Sequence, residues 1–180
     1  MSLELARKLP NAKFIVQDID HVLQQAPAVW SQELPEAVQM GHVQFMPHDF
    51  FTAQAIKGAG AYLLRRILHD WSDENCIIIL KHLKNAMTPS SRILIIDHVL
   101  HPTVESGQLK SAPPPLPANY GIAHMFSIMD DLDIMSLMNG MERTPDQLHG
   151  LAERAGLTVI KIWECRGSMH VIEMRLPEEH

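Results

Sequence analysis

Short apolar runs alternate along this chain with stretches of helical spacing, the pattern of an alternating β–α fold. The runs that read as strands are Lys13–Gln17 (KFIVQ), Val43–Met46, Ala61–Leu64, Arg92–Asp97 (RILIID), Leu157–Ile162 and His170–Met174. RILIID is an unbroken run of β-branched residues and leucine, as a buried strand requires. Ser72 is placed to cap a helix whose first turn carries Asp73 and Glu74, which favours the helix dipole. Cys76, Ile79, Leu80, Leu83 and Met87 follow at helical spacing, and Pro89 closes the pattern. Thr144-Pro145-Asp146-Gln147 reads as a capping box with proline at the first helical position. Leu148, Leu151, Ala152 and Ala155 form the stripe of that helix, and Gly156 is its stop. Ile122–Met138 reads as one long helix crowded with Met125, Met129, Met135 and Met138, with Met141 just beyond. Residues 101–118 (HPTVESGQLKSAPPPLPA) form a proline-rich connection, expected as an exposed loop of polyproline character. There is no internal repeat, and the alternation predicts an α/β sheet with helical crossovers.

Composition narrows the class without changing the fold. The chain's 180 residues make one domain's length, long enough to bury roughly 70% of the unfolded surface. A net charge of −6, with no basic block, excludes nucleic acid and anionic membrane as expected partners. No apolar run is long enough for a membrane-spanning helix, and MSLELARKLPNAKF lacks the apolar region of a signal peptide. Only Cys76 and Cys165 occur, which suits a reducing compartment; the expected location is cytoplasmic.

Candidate chemistry lies at the ends of the strands. Asp18 follows KFIVQ, where nucleotide-binding α/β folds place an acid on the ribose hydroxyls. The companion glycine-rich turn, about 20 residues earlier, is absent: the first glycine is Gly41, so that turn is expected upstream of Met1. His69, in HDWSDENC, sits between a strand and a capped helix. It reads either as a polar residue at a loop corner or as a base whose neutral imidazole takes a proton near neutral pH. Two acids favour the second reading. Asp97 ends RILIID, and Glu142 stands just before the second capped helix; a carboxylate on one ring nitrogen would fix the tautomer and free the other nitrogen. Apart from these roles, Asp97 reads as a turn residue and Glu142 as a solvated loop charge. The eleven histidines are scattered, and only His98-x-x-His101 is close, so no metal site is expected. Cys76 falls on an apolar helical face and reads as core. The methionines read as core packing or, alternatively, as an adaptable lining for a flat aromatic ligand.

LLRRILHDWSDENCIIILKHLKNAM, SRILIID and NGMERTPDQLHGLAERAGL together resemble the C-terminal half of the plant and fungal O-methyltransferases that use S-adenosylmethionine, the group of caffeic acid, flavonoid and sterigmatocystin O-methyltransferases. The resemblance covers nearly the whole chain, least in 101–118. It implies a Rossmann-like class I methyltransferase domain of α/β class, incomplete because the first strand and its glycine-rich loop are missing, and without the family's N-terminal dimerisation domain. In that fold the missing strand is central, so its two neighbours are expected to lack their shared partner. By the same resemblance, His69 matches the general base that deprotonates the substrate hydroxyl, and Asp97 and Glu142 the acids that bracket it; plant members commonly have Glu at the first. Asp18 matches the ribose-binding acid, Asp49 and Phe50 the pair around the adenine, and Arg65 a position where plant members often carry a cofactor-contacting lysine. The implied substrate is a small aromatic hydroxyl compound. A homo-oligomer, or a partner chain that supplies the missing sheet contacts, stays open. So do two other readings, an inactive remnant that serves as an interaction module and a nicotinamide dehydrogenase.

Overall fold

The computed structural model describes residues 1–178, which fold as two compact units, Met1–Thr52 and the remainder from Ala53. In the first unit, β1 (Phe14–Asp18) and β2 (Val43–Pro47) pair in parallel, with Phe14 opposite Val43 and Asp18 opposite Pro47. Parallel neighbours need a crossover. Here it consists of three short helices, α2 (Asp20–Leu23), α3 (Ala26–Glu33) and α4 (Pro35–Gln39); α1 (Ser2–Lys8) precedes β1. Proline stands in the first turn of both α3 and α4, where its missing N–H costs no helical hydrogen bond. Ala6, Trp30 and Val43 are buried at the centre of this unit, and the Trp30 ring meets Phe14 and Phe45 at centroid distances of 6.5 and 6.1 Å.

The second unit holds a four-stranded sheet in the order β3-β4-β6-β5, built from β3 (Ala61–Arg65), β4 (Arg92–His98), β5 (Thr158–Glu164) and β6 (Met169–Arg175). β3 and β4 are parallel, whereas β6 runs antiparallel to both β4 and β5. The sheet is therefore mixed. Its functional edge gathers the C-terminal ends of β3, β4 and β5 with the start of β6. Among the described residues, the two sheets are separate, two-stranded in the first unit and four-stranded in the second.

The caps form as their sequences predict. Ser72 Oγ accepts from the Asn75 N–H at the start of α5 (Asp73–Lys84), and the reciprocal Thr144–Gln147 capping box opens α7 (Pro145–Ala155). Gly156 ends α7 in the left-handed region at φ 74°. α5 stops at Lys84, so Met87 lies beyond the helix whose stripe it was expected to extend. Cys76 is fully buried on that stripe. α6 (Met125–Met138), preceded by a 3-10 turn at Ile122–His124, corrects the reading of its methionines as core. Met125, Met129, Met135 and Met138 are exposed, and only Ser127 and Ile134 are buried on the helix. Apolar residues surround the helix, broken only by Ser127, Ser136 and the acids Asp130, Asp131 and Asp133, so periodicity could not show which stripe is covered.

Candidate active site

His69 occupies a 3-10 turn, Leu68–Asp70, just after β3. It is only 3% exposed, and its Nδ1 lies 2.8 Å from Glu142 Oε1. Since the carboxylate oxygen accepts, Nδ1 is the nitrogen that carries the proton. Nε2 faces Asp70 Oδ1 at 3.4 Å. Glu142 is 2% exposed, and its own N–H donates to Asp131 Oδ1 at 2.8 Å, which fixes the backbone on which the carboxylate stands.

The turn itself is held from the same segment. Arg143, buried, donates from Nη1 to the Leu68 carbonyl at 2.8 Å and from Nη2 to the Trp71 carbonyl at 2.9 Å, and it pairs with Asp73 Oδ1. Met141 N–H donates to the His69 carbonyl at 2.9 Å. Gly140 allows this approach, because a Cβ there would fall 2.1 Å from the His69 carbonyl oxygen. Cys76 Sγ adds a contact to the Leu68 carbonyl at 3.2 Å. The carbonyls of Leu68, His69 and Trp71 are thus met by the Cys76 and Arg143 side chains and by the Met141 N–H.

Charge around the imidazole is lopsided. Burial works against the protonated ring, but the hydrogen bond and charge of Glu142, with Asp97 and Asp70, outweigh it and hold the His69 pKa above its ordinary value. Asp97, 5% exposed, is pushed up to about 7 by burial, with His69 pulling the other way. Asp97 Oδ1 and Glu142 Oε2 are buried without a hydrogen-bond partner among the described residues. Asp130 adds a further acid: its carboxylate stands close to the His69 imidazole and the Glu142 carboxylate, 3.5 Å from Arg66 Nη1 and 3.6 Å from His98 Nε2. Of the residues singled out in the sequence, His69, Asp97 and Glu142 therefore come together in the second unit.

Asp18 and Asp49 belong to the first unit, where the parallel pairing brings the ends of β1 and β2 side by side. The His48 N–H donates to the Asp18 carbonyl at 2.9 Å. Asp18 Oδ1 accepts from the Ile19 N–H, and Asp49 Oδ1 from the Phe51 N–H at 2.9 Å; both carboxylates are exposed. Phe50 is half-buried, its ring 5.0 Å from Phe51. Arg65 ends β3 with its side chain exposed.

Residues 1–158 match the O-methyltransferase domain family. The chain belongs to that family. Among curated relatives, the O-methyltransferase tpcA of Aspergillus fumigatus is 46% identical over 98% of this chain and 37% of its own length. The O-methyltransferase gedA of Aspergillus terreus is 44% identical over 96% of this chain and 36% of its own. The chain thus spans little more than a third of the length of these relatives. Among solved structures it resembles LepI in complex with SAM, with a TM-score of 0.76 and 31% identity over 97% of this chain and 39% of LepI. The fold is that of the S-adenosylmethionine-dependent class I methyltransferases, the cofactor on which the family depends.

Sequence reasoning missed Asp70, Asp130, Arg143 and Gly140 around His69. Asp70 adjoins His69 in the quoted motif and could have been found there. Arg143 reads as a surface charge until its turn of carbonyls, about seventy residues earlier, folds against it.

Proposed function

We propose that this chain is the base-bearing part of an S-adenosylmethionine-dependent O-methyltransferase that acts on a hydroxyl of a small aromatic substrate, with His69 as general base. The observation that carries the reading is the 2.8 Å Nδ1–Glu142 contact, which leaves Nε2 as the acceptor nitrogen. A phenol, with a pKa of about 10, is a workable donor to such an imidazole, and a positioned base contributes roughly 10²–10⁴-fold. When the proton reaches Nε2, Glu142 and Asp97 stabilise the imidazolium that forms. Arg143 and Gly140 keep the turn from shifting. For the adenosine of that cofactor the reading assigns Asp18 to the ribose diol and Asp49 and Phe50 to the purine, all in the first unit. The cofactor, when bound, supplies an activated methyl and its own leaving group, so the protein's remaining task is alignment, worth several kcal/mol.

A second reading, an inactive relative that acts as an interaction module, draws support from the exposed apolar surface of α6. Two measurements separate the readings: calorimetric titration with S-adenosylhomocysteine, and labelled methyl transfer to a panel of phenols. In the first reading the chain binds S-adenosylhomocysteine one-to-one, Asp18→Ala loses that binding, and His69→Asn keeps it while transfer falls by about 10²-fold or more. Transfer that survives His69→Asn refutes the base. A folded chain that neither binds nor transfers supports the interaction module.

A further inference from the structure

A second group of side chains meets on the same sheet edge, and nothing in the proposed methyl transfer uses it. In register, Glu164 at the end of β5 lies directly opposite His170 at the start of β6, and His170 is flanked on its other side by Asp97 of β4. Opposed residues of an antiparallel pair project to one face with Cβ atoms about 5 Å apart. His101, just beyond β4, reaches the same place: one ligand atom from each of His101, Glu164 and His170 lies within 4.8 Å of the others. The His101 ring is 5.8 Å from that of His170 and 4.1 Å from that of His124, in the turn before α6.

His170 gives the group direction. The residue is 8% exposed, and its Nδ1 is buried with no hydrogen-bond partner among the described residues. A buried ring nitrogen left without a partner is costly, and a bound ligand is one remedy. We infer that His101, Glu164 and His170 form a binding site for a first-row divalent cation of the zinc type, with His124 positioned to complete the set. Two imidazoles and a carboxylate are ligands that such cations take readily, and a third imidazole as fourth ligand gives a tetrahedral shell. The spacing along the chain hides the site, because its members come from four separate segments.

The site has a structural consequence. The proline-rich 101–118 segment and the residue after it already touch it: the Lys110 N–H donates to Glu164 Oε2 at 3.2 Å, and Asn119 Nδ2 donates to the His101 carbonyl at 3.3 Å. A bound cation would pin this segment to the β5–β6 hairpin.

The test is equilibrium titration of the untagged 180-residue chain with Zn²⁺ alone and with Co²⁺ alone, the latter read by its visible absorption. The expected result is saturable one-to-one binding with the strong visible bands of four-coordinate Co²⁺. Glu164→Gln and His101→Asn, both at positions that tolerate polar replacement, should each raise Kd at least about tenfold. His69→Asn should leave it unchanged, and Zn²⁺ should slow proteolysis within 101–118. The inference is overturned if binding is absent, if the Glu164→Gln and His101→Asn chains bind as the parent does, or if His69→Asn is the variant that loses the cation.

Discussion

At the scale of single residues, two acids act on His69 in different ways. Glu142 holds Nδ1 by a direct hydrogen bond; Asp97 acts through its charge, and its own carboxyl pays a desolvation cost. Their replacements should differ accordingly. Glu142→Gln removes the strongest of the influences that raise the His69 pKa and leaves only Asp97 and Asp70 against burial, which lowers it. The acid limb of the pH–rate profile should then move to lower pH, with a plateau reduced about 10²-fold as the tautomer loses its hold. Asp97 titrates near 3.8 when unexposed to the fold's influence and at about 7 within it. The folded state holds that proton more tightly, so its contribution to stability is full below about pH 4 and is lost as pH rises through about 7. Asp97→Asn should therefore be more stable than the parent at about pH 8, by on the order of 2–4 kcal/mol relative to the difference at about pH 4. Chemical denaturation at both pH values checks this; equal differences at the two would remove the burial argument.

At the scale of elements, the site depends on how closely the segment before α7 approaches the His69 turn. Gly140→Ala should cost about 1–3 kcal/mol, at the upper end because the new Cβ meets a backbone oxygen, and should lower turnover by displacing His69. Thr144→Ala, which removes only a cap, should cost about 1 kcal/mol and spare the imidazole's titration. Paired melting and activity measurements distinguish the two. Much at this scale is legible in the sequence. The strands of both units begin and end within about two residues of their apolar runs, and the Ser72 and Thr144 caps form as written. The helices α2, α3 and α4 are not legible, because they are too short to show a periodicity and two of them open on proline, which also reads as a breaker. The antiparallel entry of β6 was equally hidden, since strand direction depends on which edge remains for it after β4. Glu142 is legible as a candidate, whereas its burial is not, because its carboxylate meets His69, 73 residues earlier in the chain.

At the scale of the molecule, no helix among the described residues is long and apolar enough to cross a membrane, yet α6 presents a broad apolar surface, with Leu137 80% exposed. Such a patch binds hydrophobic probes. Met129→Gln together with Leu137→Gln should reduce fluorescence of a hydrophobic dye, while the melting temperature stays within about 2 °C. Unchanged dye binding would place the apolar surface elsewhere. The chain's excess of acid, −6 overall, shows itself most around His69, where buried Asp97 and Glu142 and half-buried Asp130 crowd one imidazole. That concentration, more than the exposed charge, is what sets the protonation of the site.

The measurement that bears most directly on His69 as base is nitrogen-15 NMR of the histidine-labelled chain, followed through a pH titration and repeated on Glu142→Gln. The expected result is a neutral ring with its proton on Nδ1 and a lone pair on Nε2, a pKa above 6.5, and loss of both features in the variant. A proton on Nε2 in the neutral ring, or a pKa below that value in the parent, would contradict the account.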